Sequence, residues 1–381
     1  MRALVLATIL AGALACSAIA QKKPFEINAE TPEGALLQKA GQEDDQAKKT
    51  ALYEEFLQKY PKHDGAGLAA AQLQLLYSKA GNYDKAMQMA DLAITADPTN
   101  ATFGYSVLQE AEQKKDYAAI KTWAVKTAEA AKKNLAVPKP SDENDAEEWA
   151  KEQDYNKQMV VRCEYSLSTA LMQAQEPKVK ADLGDGLMQV NPESQYMPAA
   201  TPHYLYGLMQ SGRAADAAAV AEKLLVKDKD NDDLMAVVAD NSLTNKDYPK
   251  AATVAMQMVE TLKNKAAPQG MDAATWEKTK TAKMARGYFI AGSANYEQKK
   301  WNEADTILRA GLPLMQGNND LLAPAYFYLG FANHELSRTV KATSRAAVLA
   351  DAKKFTSACA AIAGPLQNAC KKNLEGLQAG R

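Results

Sequence analysis

The sequence predicts an all-α fold, an α-solenoid of antiparallel helical hairpins. Three observations predict it. First, a short hexad recurs: Gly81-Asn82-Tyr83 with Ala86, Lys115-Asp116-Tyr117 with Ile120, Gly212-Arg213-Ala214 with Ala217, Lys246-Asp247-Tyr248 with Ala251, and Lys299-Lys300-Trp301 with Ala304. Tyr83 to Tyr117 and Ala217 to Ala251 both span 34 residues, the period of stacked helix pairs. Second, four hexads lead into the same stripe, spaced four then three. The stripes are Ala86, Ala90, Ala93; Ala217, Ala221, Leu224; Ala251, Ala255, Met258; and Ala304, Leu308, Gly311. That spacing puts each set on one helical face, and its small residues admit a close neighbour. Third, the turns agree. Asp97-Pro98-Thr99-Asn100 and Asn191-Pro192-Glu193-Ser194 each stop one helix with proline and offer a polar cap to the next.

Taken in order, residues 1–20 read as an export signal. Arg2 supplies the positive start, Ala3 to Ala15 the apolar stretch, and Ala18-Ile19-Ala20 a small-x-small cleavage site before Gln21. A rival reading makes Cys16, in Ala-Leu-Ala-Cys, a lipid-attachment cysteine, although Ala13 stands where that pattern wants leucine. No later stretch approaches the ~20 apolar residues of a membrane-spanning helix. Residues 21–30 are polar and expected to be flexible. Thr31-Pro32-Glu33 is a helix start, a cap followed by proline in the first turn. Hairpins occupy 31–135, with Tyr60-Pro61 closing an early helix. A charged loop follows at 136–145. Hairpins resume over 146–347 with an insertion near 266–272, and 348–381 form a helical cap broken at Gly364-Pro365. An array needs such a cap because its terminal face meets water.

A longer period overlies the short one. A shift of 131 carries Tyr83 onto Ala214, Ala86 onto Ala217 and Tyr117 onto Tyr248. It also lays Asp97-Pro98-Thr99-Asn100 over Asp228-Lys229-Asp230-Asn231. Pro140 to Trp149 parallels Pro268 to Trp276, each leading into a long helical stretch, roughly 142–174 and 273–299. Pro202-His203-Tyr204-Leu205-Tyr206-Gly207 parallels Pro324-Ala325-Tyr326-Phe327-Tyr328-Leu329-Gly330. We read these as a duplicated multi-hairpin unit.

The pattern resembles the tetratricopeptide repeat (TPR). Leu73, Tyr77, Gly81, Tyr83, Ala86, Ala93 and Pro98 match its positions, as do Tyr288 with Gly292 and Tyr326 with Leu329-Gly330. Other copies depart: Ile120 stands in place of alanine, and 155–192 lack the hexad. The resemblance covers most of 34–360. It implies a right-handed superhelix of about seven or eight hairpins that binds proteins or peptides, and it does not imply an enzyme.

The chemistry points the same way. The 381 residues carry 45 basic and 46 acidic side chains, interleaved, for a net charge of -1. Nucleic-acid binding would need a concentrated basic face, and none is visible. His63, His203 and His334 are far apart in sequence. His334-Glu335 begins like a zinc-protease motif, but Arg338 stands where its second histidine belongs. Asp228, Asp230 and Asp232 alternate like a calcium loop, but Asp233 stands where glycine is needed and Ala239 where the bidentate glutamate belongs. These acids are read as capping and solvated. No catalytic residue, metal or cofactor is assigned. Of the cysteines beyond the signal, Cys359 and Cys370 would lie roughly 16 Å apart on one straight helix, at 1.5 Å per residue, too far to bridge. A reversal at Gly364-Pro365 would permit a bridge. The expectation is three buried thiols, Cys163 among them.

The working surface is expected on the inner face, lined by the first helix of each hairpin. Tyr105, Tyr206, Phe289, Tyr296, Phe327 and Phe331 fall there. Aromatics on such a wall suit a peptide or a partner helix. Each could instead belong to the core between repeats. The expected function is an exported, non-enzymatic interaction scaffold, periplasmic or secreted. One alternative is a lipid-anchored structural subunit of an envelope assembly complex, outer-membrane associated. Tyr53-Glu54-Glu55-Phe56-Leu57-Gln58-Lys59-Tyr60-Pro61 is similar to helix ends in such proteins. A third reading is an exported hydrolase using scattered acids.

Overall fold

A computed structural model describes residues 27–379. The expected signal segment, its cleavage site and Cys16 lie outside these residues. The described chain is a helical repeat array of seventeen α-helices with no strand among the described residues. Its helices fall into two compact units, divided between Ser211 and Gly212. No helix among the described residues is long and apolar enough to cross a membrane.

The first unit holds α1 (Pro32–Gln42), α2 (Gln46–Lys59), α3 (Ala66–Lys79), α4 (Tyr83–Ala96), α5 (Ala101–Lys114), α6 (Tyr117–Leu135), α7 (Glu143–Gln173), α8 (Pro177–Val190) and α9 (Met197–Gln210). Thr31 caps α1 by accepting from the Gly34 N–H, with Pro32 in the first turn. Just ahead of it, Ile27 rests on the core formed by Leu37, Tyr53, Phe56 and Leu73. The second unit holds α10 (Ala214–Leu225), α11 (Asp232–Thr244), α12 (Tyr248–Asn264), α13 (Ala273–Glu297), α14 (Trp301–Gly311), α15 (Asn319–Thr339), α16 (Ala342–Ala361) and α17 (Gln367–Gln378).

The hexads are the joints of this array. The leading residue of all five is left-handed: Gly81 at φ 74°, Lys115 at 55°, Gly212 at 75°, Lys246 at 62° and Lys299 at 59°. That conformation ends a helix because it turns the next N–H back onto the last free carbonyls. So the Asn82 N–H reaches Tyr77 O at 2.8 Å, Asp116 reaches Ala111 O at 3.0 Å, Asp247 reaches Ser242 O at 2.8 Å and Lys300 reaches Asn295 O at 2.9 Å. The following residue starts the next helix. Asn82, Asp116 and Asp247 accept from the N–H of Lys85, Ala119 and Lys250. One helix is stopped and the next begun within three residues.

The stripes then bury. Ala86, Ala90, Ala217, Ala221, Ala251, Ala255, Met258, Ala304 and Leu308 are fully enclosed. Leu224, near the end of α10, stays half-buried. Partner helices come close enough to exclude a side chain: a Cβ on Gly292 of α13 would overlap Leu308 of α14.

The 131-residue shift carries the starts of α4, α5 and α6 onto those of α10, α11 and α12, and α7–α9 follow in the same order as α13–α15 at a shorter offset. The aligned turns are built alike. The Asn100 N–H bonds Asp97 O at 3.3 Å and the Asn231 N–H bonds Asp228 O at 3.3 Å. Both asparagines then cap the next helix, Asn100 from Phe103 at 3.0 Å and Asn231 from Leu234 at 3.1 Å.

Two expectations are corrected here. Cys359 and Cys370 are not thiols but a disulfide, with Cα atoms 5.8 Å apart. The chain reverses at Gly364-Pro365, so α17 packs back on α16 and the straight-helix distance does not apply. Cys163 is a buried free thiol, and burial pushes it up to about 12, with Glu112 and Glu164 adding to the effect. Second, Asp232 is not solvated. It is 2% exposed and ion-paired to Lys265 and, at 2.6 Å, to Lys283. Burial would raise its carboxyl, but the hydrogen bonds and charges of the two lysines outweigh burial and hold it below the ordinary aspartate value. Asp228 instead braces its turn, accepting from the Asn231 side chain at 2.8 Å. No group of three or more His, Cys, Asp or Glu side chains among the described residues is placed to hold a metal ion.

Candidate interaction surface

In each unit the first helices of successive hairpins lie side by side, and direct bonds tie them. In the first unit Gln74 of α3 donates to Glu110 of α5 at 2.9 Å. Thr102 of α5 and Tyr155 of α7 share a hydroxyl bond of 2.8 Å. In the second unit Lys283 of α13 reaches Asp232 and Asp233 of α11, each at 2.6 Å, and Arg286 pairs with Asp240.

Four of the six predicted aromatics come together in the second unit. Phe289 and Tyr296 lie seven residues apart on one face of α13, and Phe327 and Phe331 lie four apart on α15. Two residues absent from the sequence-based set join them. Tyr328 sits in the middle, its ring centroid 4.5 Å from Tyr296, 6.3 Å from Phe289 and 5.9 Å from Phe327. Trp301 is the first residue of α14. The left-handed turn at Lys299 delivers it beside Tyr296, at 5.4 Å. Tyr296, Trp301 and Phe331 form a closed triangle, with the remaining sides 5.6 and 5.7 Å and interplanar angles of 61–72°. Edge-to-face packing of this kind suits ring quadrupoles and holds each ring in place.

The cluster has an inner and an outer part. Phe289 and Tyr328 lean on the buried core around Tyr288, Leu329 and Phe355. The triangle lies outward of them, and Phe331 is 37% exposed. Burial pushes the Tyr296 phenol up to about 12, and Glu297, Tyr328 and Glu335 push in the same direction. Burial and Glu297 also raise Tyr328. Both phenols therefore stay protonated donors at neutral pH. Arg286 lies over the Phe289 ring at 5.9 Å, within cation–π range.

The other two predicted residues stand apart, in the first unit. Tyr105 of α5 is half-buried against Ala101, Ala130, Ala131 and Met159. Its hydroxyl accepts from Arg162 at 3.2 Å, and that guanidinium also covers the ring at 5.6 Å. Tyr206 of α9 is 50% exposed. The first helices of this unit expose further apolar groups that were not predicted: Leu75 on α3, Tyr165 and Met172 on α7, and Met209 on α9. The phase of α7 only becomes visible once its limits are known. That long helix carries no hexad to set its phase.

No protein-family model matches the chain, and no curated protein matches it. Among solved structures the chain is similar to the crystal structure of the P58(IPK) TPR domain, at 10% identity and a TM-score of 0.29, over 92% of this chain and 98% of that one. It is similar to yeast Tom70 at 10% identity and a TM-score of 0.22, over 93% and 97%. It is also similar to a structure of Naa15/Naa10 bound to HypK-THB, at 11% identity and a TM-score of 0.23, over 93% and 71%.

Proposed function

We propose that the protein is an exported, non-enzymatic scaffold that binds a protein or peptide partner along its first helices, anchored on the ring triangle of Tyr296, Trp301 and Phe331. The observation that carries the proposal is that triangle. Its rings are fixed by each other, yet Phe331 keeps over a third of its surface in water. Rings already held in place lose little freedom on binding, and large aromatics of this kind dominate interface energetics.

Export is supported by the Cys359–Cys370 disulfide, since such bonds persist in oxidising compartments and are rare in reducing ones. The apolar first segment with its small-x-small site agrees.

The test is cross-linking in native envelopes, comparing wild type with Trp301→Ala/Phe331→Ala. The expected result is loss of a specific partner, with circular dichroism unchanged. Tyr206→Ala, in the other unit, serves as the control. A partner set unchanged in the double variant refutes the anchor. Intact mass of the native protein then separates a chain beginning at Gln21 from one acylated at Cys16.

A further inference from the structure

Away from the ring cluster, the end of the second unit contains a pocket of 480 Å³ between α15, α16 and α17. That is within the size range of small-ligand sites. Arg338, Arg345 and Lys353 line it together with His334, over an apolar part made by Leu349 and Leu377. No carboxylate lines it among the described residues. Of the lining cations, Arg338 is already paired with Glu335 at 3.2 Å, while the other nearby acid, Asp351, is engaged by Arg309 at 3.2 Å. Arg345 and Lys353 form no ion pair among the described residues. Arg345 is held in place, since its Nε donates to Ser337 O at 3.1 Å while its remaining donors stay available. The α17 wall is fixed as well, because the Cys359–Cys370 disulfide ties α17 to α16.

Cations gathered around one cavity repel each other, and the cost is relieved when an anion enters. Guanidinium and ammonium groups together favour an oxyanion, which accepts several charge-assisted hydrogen bonds. The leucines favour an apolar group attached to it. We propose that this pocket binds a small amphiphilic oxyanion, a phosphate ester with a short apolar substituent, through Arg345 and Lys353. It is separate from the aromatic surface and independent of the scaffold reading.

The experiment titrates the full chain with hexyl phosphate and with inorganic phosphate by calorimetry. The chain is also sedimented with vesicles of phosphatidylglycerol and of phosphatidylcholine. Saturable binding of hexyl phosphate is expected, weaker for inorganic phosphate, and at least tenfold weaker in Arg345→Gln/Lys353→Gln. Both side chains are exposed, so the variant keeps its fold, which circular dichroism verifies. Co-sedimentation with phosphatidylglycerol alone, lost in the same variant, assigns the anion to a lipid headgroup. Hexyl phosphate binding without co-sedimentation assigns it to a free ester. No binding of either probe, or binding unchanged in the variant, overturns the proposal.

Discussion

Trp149 and Trp276 hold equivalent places in different units. Each lies near the start of the longest helix of its unit and donates its indole N–H to a carbonyl of the segment leading into that helix. Trp149 bonds Val137 O at 2.9 Å and Trp276 bonds Lys265 O at 3.4 Å. The same tether closes the same kind of loop twice, as a duplicated multi-hairpin unit requires. The two differ in burial: Trp276 is 5% exposed and Trp149 half-buried. Trp276→Phe is therefore expected to cost about 2 kcal/mol and Trp149→Phe about 1 kcal/mol, because a carbonyl nearer solvent regains a water partner. Urea unfolding of the two variants measures the difference.

The left-handed lysines make a prediction of opposite sign. A side chain at positive φ is strained by about 1 kcal/mol, and glycine is not. Lys246→Gly is expected to raise stability by up to about 1 kcal/mol. Gly81→Ala is expected to lower it by a similar amount. A Cβ at Gly81 would touch nothing within 4 Å, so that loss reports backbone conformation alone. Thermal melts of both variants decide it.

Asp232 gives a pH dependence. Its folded carboxyl lies below the ordinary value of about 3.9, so its contribution is fully present above that value. It is lost as pH falls through the lower folded pKa. Asp232→Ala is expected to cost about 2 kcal/mol at pH 7, discounted because both lysines are partly exposed. The gap between wild type and variant is expected to shrink below about pH 4. Denaturant titrations at pH 7 and pH 3 test both statements.

Cys163 supplies a chemical test of the fold. Its thiol is fully enclosed and raised to about 12, so almost none is thiolate at pH 8. A thiol reagent is expected to leave it unmodified in the native protein. In denaturant without reductant it should modify that thiol but neither Cys359 nor Cys370. Modification of Cys359 or Cys370 under those conditions would contradict the disulfide.

Much of the array is legible in the chain because its rules are local. The hexads, the alanine stripes and the Pro-led turns each depend on residues within about two helical turns, and the structure uses them as such. What escapes the sequence depends on distance or on conformation that no residue type announces. The lysines at 115, 246 and 299 do not read as helix stops, yet they take the conformation that Gly81 advertises. Asp232 looks like a surface cap until Lys265 and Lys283 arrive from 33 and 51 residues away. Trp301 belongs to a second helix, so a rule that collects aromatics from first helices passes over it. The disulfide depends on whether Gly364-Pro365 bends or reverses the chain, and spacing alone does not say which.

Because each joint is completed within three residues, no joint needs a distant segment to close it. Such a chain has low contact order, and its hairpins form over short loop searches. The same economy sets its behaviour under load. Among the described residues there is no strand to act as a clamp, so under pulling from its ends the array is expected to yield hairpin by hairpin at low force. The exception is the α16–α17 turn, where the covalent bridge between Cys359 and Cys370, 11 positions apart, keeps the segment between them from extending.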